Sequence, residues 1–332
     1  MKDENRNKTR SFWAENLIIT ENGNNRRLNF WDLPTSLYEQ MRIAFPALHD
    51  PPANAALELL KYHMEPGILK SALSIGCGTA HKELKFVENG IVEHFTLVEL
   101  VPELLNSAKT SFSKAGLNNN VYFIEGDYKD HLQNKTFDLV YFDNSLHHLD
   151  HIDSTIADMV GMLNPNGFFL MDDFVGPTYN QFSDEVHDYA QHVRRLLPAS
   201  FFEDPEDRRI LFDLPKIPVQ AYLDTDPSEA IDSASILPSI AKHMPEVEII
   251  PTGGLIYYLA AREIFDKLAQ YPDRDDAIIR LLFELDRVLV KSNPELTCYA
   301  LAIWQKPTDY LGPAEKSNWK NNLRWPEWHI PI

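Results

Sequence analysis

Apolar residues in this chain cluster in short runs, and the stretches between them repeat at helical spacing. Between residues 70 and 175 the runs fall at 72–75, 94–100, 121–127, 137–143 and 168–173. Runs this short with little alternation read as strands buried on both faces. The segments 82–89, 101–114 and 152–163 have a helical period. In 101–114, Leu104, Leu105, Ala108 and Phe112 share a face and Gly116 marks the stop, while Asn164-Pro165-Asn166-Gly167 closes 152–163. Strand and helix in alternation predict a parallel sheet with helices on both faces.

Outside this stretch the pattern changes. Residues 1–10 read as a disordered or tag-like start. From 11 to 67 the chain is helical and aromatic-rich, with a helix over 53–63 closed by Pro66-Gly67. This segment is expected to pack on the sheet edge, to cover the site as a lid, or both. After 173 the alternation stops: 175–227 is an insertion with helical stretches at 183–197 and 206–212. A helix over 228–243 and a sixth strand over 247–251 follow. Two helical segments, 256–270 and 274–291, precede a last strand at 298–305. The organisation is thus an N-terminal helical cap (1–68), an α/β domain (69–305) and a C-terminal tail (306–332). Trp319, Trp325 and Trp328 in the tail are expected to leave water, against the body or in a homodimer.

Charge and composition narrow the partners. The net charge of −18 from 49 acidic and 31 basic residues leaves no broad basic face for phosphates. Two cysteines form neither a disulfide framework nor a zinc cluster. The polar start does not read as a signal peptide, and no apolar run approaches the ~20 residues that cross a bilayer. The expectation is a cytoplasmic protein with no nucleic-acid or membrane partner.

The candidate chemistry begins at Gly76-Cys77-Gly78, where the first strand stops. A pyrophosphate fingerprint needs a third glycine where His81 stands, which argues against a dinucleotide. Acids end the next strands instead. Glu99 suits two ribose hydroxyls and Asp127 an exocyclic adenine amine, with Tyr128 or Ile124 against the ring.

Five segments occur in one order: Leu-Ser-Ile-Gly-Cys-Gly-Thr-Ala, Leu-Val-Glu-Leu, Glu-Gly-Asp-Tyr, Phe-Asp-Leu-Val-Tyr-Phe-Asp-Asn-Ser-Leu-His-His-Leu and Leu-Asn-Pro-Asn-Gly-Phe-Phe-Leu. Together they resemble the class I S-adenosylmethionine-dependent methyltransferases. The resemblance implies an α/β Rossmann-like sheet of seven strands, the last antiparallel and inserted beside the sixth. It implies S-adenosyl-L-methionine as cofactor, contacted by Gly76, Cys77, Gly78, Glu99, Leu100, Asp127, Tyr128, Asp143 and Asn144. Two positions depart from the family. Ser74 stands where an acid is usual, and Ala80 takes the place of the third small residue. The later pieces Asp173-Phe174-Val175-Gly176-Pro177 and Asp226-Pro227-Ser228-Glu229-Ala230-Ile231 resemble a bacterial subgroup associated with glycan and secondary-metabolite gene clusters.

For the acceptor, His147 or His148 after the fourth strand is the candidate base, since an imidazole titrates near neutrality. Tyr179, Asn180, Gln181 and Phe182 are expected to line the acceptor pocket. The expected reaction is O-methylation of a small-molecule or glycan hydroxyl. Nitrogen or carbon acceptors, an NAD-linked oxidoreductase and a non-catalytic binding protein are the alternatives. No metal ligands are assigned. A magnesium site built from Asp143 with Asp172 or Asp173, as in catechol-type enzymes, is the competing reading.

Overall fold

A computed structural model describes residues 3–21, 28–45, 54–204, 208–270 and 272–325. Seven strands form one sheet: β1 (Leu69–Ile75), β2 (Val92–Glu99), β3 (Val121–Glu125), β4 (Phe137–Asp143), β5 (Leu163–Phe174), β6 (Glu248–Gly253) and β7 (Tyr299–Gln305). Their order is β3-β2-β1-β4-β5-β7-β6. β1 to β5 pair in parallel, and β7 runs antiparallel between β5 and β6. This is the doubly wound sheet expected from the sequence, down to the antiparallel last strand.

The helices are α1 (Asp3–Glu21), α2 (Pro34–Ala44), α3 (Ala55–His63), α4 (His81–Glu88), α5 (Pro102–Lys114), α6 (Tyr128–His131), α7 (Ile152–Met162), α8 (Asp184–Leu196), α9 (Val219–Thr225), α10 (Ile236–His243), α11 (Phe265–Leu268) and α12 (Pro272–Ser292). Among the described residues, none is long and apolar enough to cross a membrane.

Why the strands read as unbroken apolar runs is visible in the core. In β4, Val140 and Phe142 face one layer with Ile156 and Met159 of α7 and Ile236 and Ile240 of α10. Their neighbours Leu139 and Tyr141 face the other, with Leu60 of α3, Phe86 of α4 and Phe112 of α5. Successive side chains alternate across a sheet covered on both sides, so consecutive central positions such as Leu139 to Phe142 are all apolar. A third cluster lies beyond the sheet, where Phe201, Phe202 and Leu214 of the insertion pack with Phe30, Tyr257, Phe265 and Phe283. The insertion therefore has its own apolar support.

Several expectations change. Residues 3–10 are not a loose start but the first turns of α1, fixed by side-chain contacts to the body described below. The helix expected over 206–212 does not form across its described part. Ile210 bridges back to Glu203, and the buried Arg194 guanidinium takes the carbonyls of Leu211 and Phe212 that a helix would use. The helix expected over 228–243 forms only from Ile236. The segment 256–270 divides into a π-helical turn, Leu255–Ala260, and the short α11. Asp286 of α12 accepts from Ile256 and Tyr257 N–H at 2.8 and 3.0 Å and caps the start of the π-helical turn.

The tail lies along α10 and β6. Arg324 N donates to Ile249 O at 2.8 Å, and Trp319 packs at the edge of the first core layer. Trp325 is half-buried, and Trp328 lies outside the described residues.

Candidate functional site

The carboxyl ends of β1, β2 and β4 meet at one edge of the sheet, where open α/β sheets take their ligands. β1 ends in a loop held by Gly76 N and Cys77 N, which both donate to Val98 O. Gly76 has φ +68°, and a Cβ there would meet Ser145 Cβ at 2.9 Å, so no larger residue fits. Gly78 has φ +56°, but a Cβ there would meet nothing within 4 Å. The backbone at Gly78 thus faces open space, and Ser145 Oγ is buried near the loop without a hydrogen-bond partner. Both features fit a ligand passing over the loop.

Glu99 is fixed by backbone alone. Oε2 accepts from Gly78 N at 2.8 Å and Oε1 from Val101 N at 2.9 Å. Burial pushes its pKa up, against the pull of those N–H groups. One carboxylate thereby ties the glycine loop to the end of β2.

The family's missing acid at Ser74 is replaced from the helix. Ser74 Oγ donates to Glu83 Oε1 at 2.7 Å, beneath the loop. Burial, aided by Asp143, pushes Glu83 up to about 7. The signal was present in the sequence as an acid in the first turn of α4.

Asp127 caps α6, accepting from Lys129 N at 3.0 Å, and pairs through its other oxygen with Arg6 Nη2 of α1 at 2.6 Å. Arg10 Nε donates to Leu100 O at 2.9 Å. The Tyr128 ring does not face a ligand: it is a core side chain whose hydroxyl bonds Asp158 at 3.1 Å. The adenine contact expected of it is corrected, because an aromatic ring in the first turn of α6 turns toward the core, while Ile124 lies at the core's margin. Cys77 is half-buried beside the loop, its thiol pushed up by burial.

Asp143 pairs with Lys82 Nζ at 2.5 Å, and Asp172 lies 4.0 Å from the same ammonium. Burial opposes the charge on Lys82, but the two carboxylates outweigh it and hold its pKa above the usual range. Asp172 is pushed up to about 6, by burial first. Asn144 is exposed at φ +47°, with its N–H on Asp172 O. These contacts weigh against the magnesium alternative: Lys82 pairs with Asp143 and stands beside Asp172, and Asp173 holds His147 and three backbone N–H groups.

Asp173 accepts from the N–H groups of Ser145, Leu146 and His147 and meets His147 Nδ1 at 2.6 Å. His148 Nδ1 meets Ser228 Oγ at 2.9 Å, and Ser228 Oγ donates to Asp226 Oδ1 at 2.6 Å. Asp226 also takes Thr9 Oγ1 at 2.9 Å and Trp13 Nε1 at 3.0 Å from α1. The outer nitrogens of both histidines turn toward Glu229 Oε2, at 3.8 Å for His147 and 3.9 Å for His148. Burial lowers both histidines. For His147, Asp173 outweighs it and the net direction is up, whereas His148 stays down with His147 as its neighbour.

The insertion loop joins this group through one of the four expected residues. Asn180 Nδ2 reaches Glu229 Oε1 at 3.4 Å and its Oδ1 accepts from Tyr258 at 2.9 Å. Asn180, Gln181 and Phe182 line a cavity with Tyr222, Tyr258 and Arg262. Tyr179 does not line it, and the Gln181 amide is spent on the carbonyls of Tyr179 and Ile217. Tyr179 and Asn180 both have positive φ, a costly backbone for such residues that tends to mark functional loops.

Residues 69–211 match the family model described as a methyltransferase domain. Residues 69–211 thus carry a methyltransferase domain, in line with the resemblance to the class I S-adenosylmethionine-dependent methyltransferases. A demethylmenaquinone methyltransferase of Leptospira interrogans is 30% identical over 119 residues, 35% of this chain and 47% of that protein. A malonyl-[acyl-carrier protein] O-methyltransferase of Halalkalibacterium halodurans is 27% identical over 132 residues, 39% and 46% of the two chains. The chain thus spans about half the length of the curated relatives it matches. A solved structure, a methyltransferase from Thiobacillus denitrificans in complex with S-adenosyl-L-homocysteine, aligns at 14% identity and a TM-score of 0.39. That alignment covers 81% of this chain and 96% of the other.

The sequence alone does not mark Glu229, Asp226 and Ser228 as site residues. They stand in the Asp226-Pro227-Ser228-Glu229 run, a polar cluster at the end of the insertion. Lys82 and Arg6 carried no distinguishing signal.

Proposed function

We propose that the chain methylates an oxygen of a small molecule or glycan, taking the methyl group from S-adenosylmethionine. One observation carries the reading. The loop clamped by Glu99 and the convergent group of His147, His148 and Glu229 sit on adjacent strand ends, β1 and β4. A cofactor over the glycines would present its sulfonium methyl toward an acceptor held at the histidines.

The acceptor oxygen attacks the methyl carbon as the carbon–sulfur bond breaks, leaving S-adenosylhomocysteine. Most of the acceleration comes from holding the reacting atoms near ~3 Å and in line. The hydroxyl proton leaves toward the group formed by His147, His148 and Glu229. Asn180, Phe182 and Tyr222 would shape the acceptor side, and the O-methyltransferase name of one matched relative agrees with an oxygen acceptor.

The test is incubation of the protein with methyl-labelled cofactor and bacterial extract, followed by mass spectrometry of labelled products. An O-methylated small molecule or glycan is expected. His148→Ala should lower turnover by about 100-fold or more, the scale of a group acting directly on the acceptor proton, while S-adenosylhomocysteine affinity is kept. Binding of the cofactor product without any transfer of label would overturn the reading, as would full turnover in His148→Ala.

A further inference from the structure

We propose that His147 Nε2, His148 Nε2 and Glu229 Oε2 form a site for a divalent transition-metal cation of the zinc, manganese or iron(II) class. The ligand atoms of these three residues all lie within 4.8 Å of one another. Each nitrogen stands 3.8 or 3.9 Å from the carboxylate oxygen. Ligands bound at the usual 2.0–2.2 Å in a tetrahedral arrangement lie about 3.4 Å apart. A small inward adjustment of the side chains closes the set.

The hydrogen bonds around the rings decide what the three atoms offer. Asp173 only accepts, so it fixes the His147 proton on Nδ1. The single proton of the Ser228 hydroxyl goes to Asp226, so Ser228 Oγ accepts and fixes the His148 proton on Nδ1 as well. In the neutral form of both rings, two nitrogen lone pairs and a carboxylate oxygen lie within 4.8 Å of one another with no proton to share between them. A cation resolves that arrangement. Imidazoles whose far N–H is held by a carboxylate, directly or through a hydroxyl, are the characteristic outer shell of metal-binding histidines. Two imidazoles and one carboxylate favour zinc, manganese or iron(II) over magnesium or calcium, which prefer oxygen ligands alone.

Three protein ligands leave a position open, as in catalytic rather than structural sites. His148 and Glu229 are only half-buried, so that position is reachable. Asn180 holds the other Glu229 oxygen and steadies the ligand from the insertion. On the reading of this edge as the acceptor site, a bound cation would occupy the atoms otherwise free to take the acceptor proton, so a hydroxyl bound to it would instead lose its proton to water and attack the methyl as an alkoxide. Metal binding itself does not depend on that reading.

The experiment uses the untagged full chain, stripped with chelator and dialysed against zinc, manganese or, without air, iron(II). Elemental analysis and calorimetry read the bound metal. One equivalent per chain is expected. Affinity should fall at least 100-fold in His148→Ala and Glu229→Gln, and 10–100-fold in Ser228→Ala, the scale for outer-shell changes. Thermal melts and S-adenosylhomocysteine binding confirm that the variants fold. Less than a tenth of an equivalent in the wild-type chain, or binding unchanged in folded variants, overturns the proposal; the wild-type figure decides alone if the variants do not fold. Chelator-resistant methyl transfer that is lost in His148→Ala would overturn the metal and keep the acceptor site. Stoichiometric metal without any methyl transfer would keep the metal and overturn the function.

Discussion

The two halves of the sheet edge are built by different means. On the cofactor side, Glu99 is held by the N–H groups of Gly78 and Val101, and Asp127 by that of Lys129. Donor and acceptor come from the same strand ends and the loops that follow them. On the acceptor side the contacts reach further: His147 is held by Asp173 of the neighbouring strand end, but His148 rests on Ser228, and Asp226, which takes the Ser228 hydroxyl, is braced by Thr9 and Trp13 of α1. The first half is a property of a local fold unit, whereas the second also draws on the end of the insertion and on α1. A sheet of this kind can therefore keep its cofactor site while its acceptor site is rebuilt, because the two share few contacts.

The largest expected effect strikes the local half. Glu99→Ala removes two hydrogen bonds to a carboxylate that orders the glycine loop, each worth ~1.5–3 kcal/mol when the acceptor is charged. Binding of S-adenosylhomocysteine should weaken by about 100-fold or more by calorimetry, and Glu99→Gln, which keeps one acceptor oxygen, by less. The same titration on His148→Ala should give the wild-type affinity. A large loss in both variants would mean that the two halves are one network, and the contrast drawn above would fail.

The same difference explains what the sequence could and could not disclose. The loop of Gly76 and Gly78 and the strand-end acid Glu99 can be placed from the sequence because β1 and β2 are neighbours, and strand order brings Glu99 to Gly78 N. Each lies at the end of a strand whose apolar run is unmistakable. Tyr128 misled, because a ring at a strand end can turn toward the ligand or the core, and only the packing around Asp158 decides. Glu229 and Asp226 could not be paired with the histidines from spacing, since about eighty residues and an irregular insertion separate them. The opening turns of α1 were missed for a related reason. A polar helix with little apolar stripe gives no packing signal, and its place is set by Arg6, Thr9, Arg10 and Trp13 reaching acids and a carbonyl far along the chain.

A smaller effect, confined to the cofactor side, should appear as pH-dependent stability. Glu83 keeps its proton in the folded chain up to about 7, while in the unfolded chain it releases it near 4.5. Between these values the folded state binds more protons. The stabilisation is therefore complete below the lower value and is lost as pH rises through the upper one. Glu83→Gln has no proton to lose and can still accept from Ser74. Relative to wild type it should gain stability between pH 5 and pH 8, by up to roughly 3 kcal/mol from a shift of this size. Denaturant titrations at the two pH values measure this. Parallel pH profiles for the two proteins would show that Glu83 is not held neutral, and that the substitute for the family's usual acid works as an ion instead.

The smallest effect tests the element that spans both halves. Helix α1 reaches the cofactor side through Arg6 on Asp127 and Arg10 on Leu100, and the acceptor side through Thr9 and Trp13 on Asp226. Its two ends of contact make opposite demands. Thr9 and Trp13 brace Asp226, which Ser228 N–H and Oγ also hold, yet Arg6 occupies the carboxylate expected to take an adenine amine. The Arg6–Asp127 pair is partly exposed, so it contributes under ~1 kcal/mol. Arg6→Ala should therefore free Asp127 and raise S-adenosylhomocysteine affinity, by less than about five-fold. A fall in affinity instead would mean that Arg6 closes over the bound nucleoside rather than competing with it. The sign of so small a change is informative because the competing and closing roles differ only in whether Asp127 can serve both groups at once. In the first case α1 is a brace for the acceptor half that the cofactor must partly displace. In the second it is a shared wall, and the separation between the halves ends at this helix.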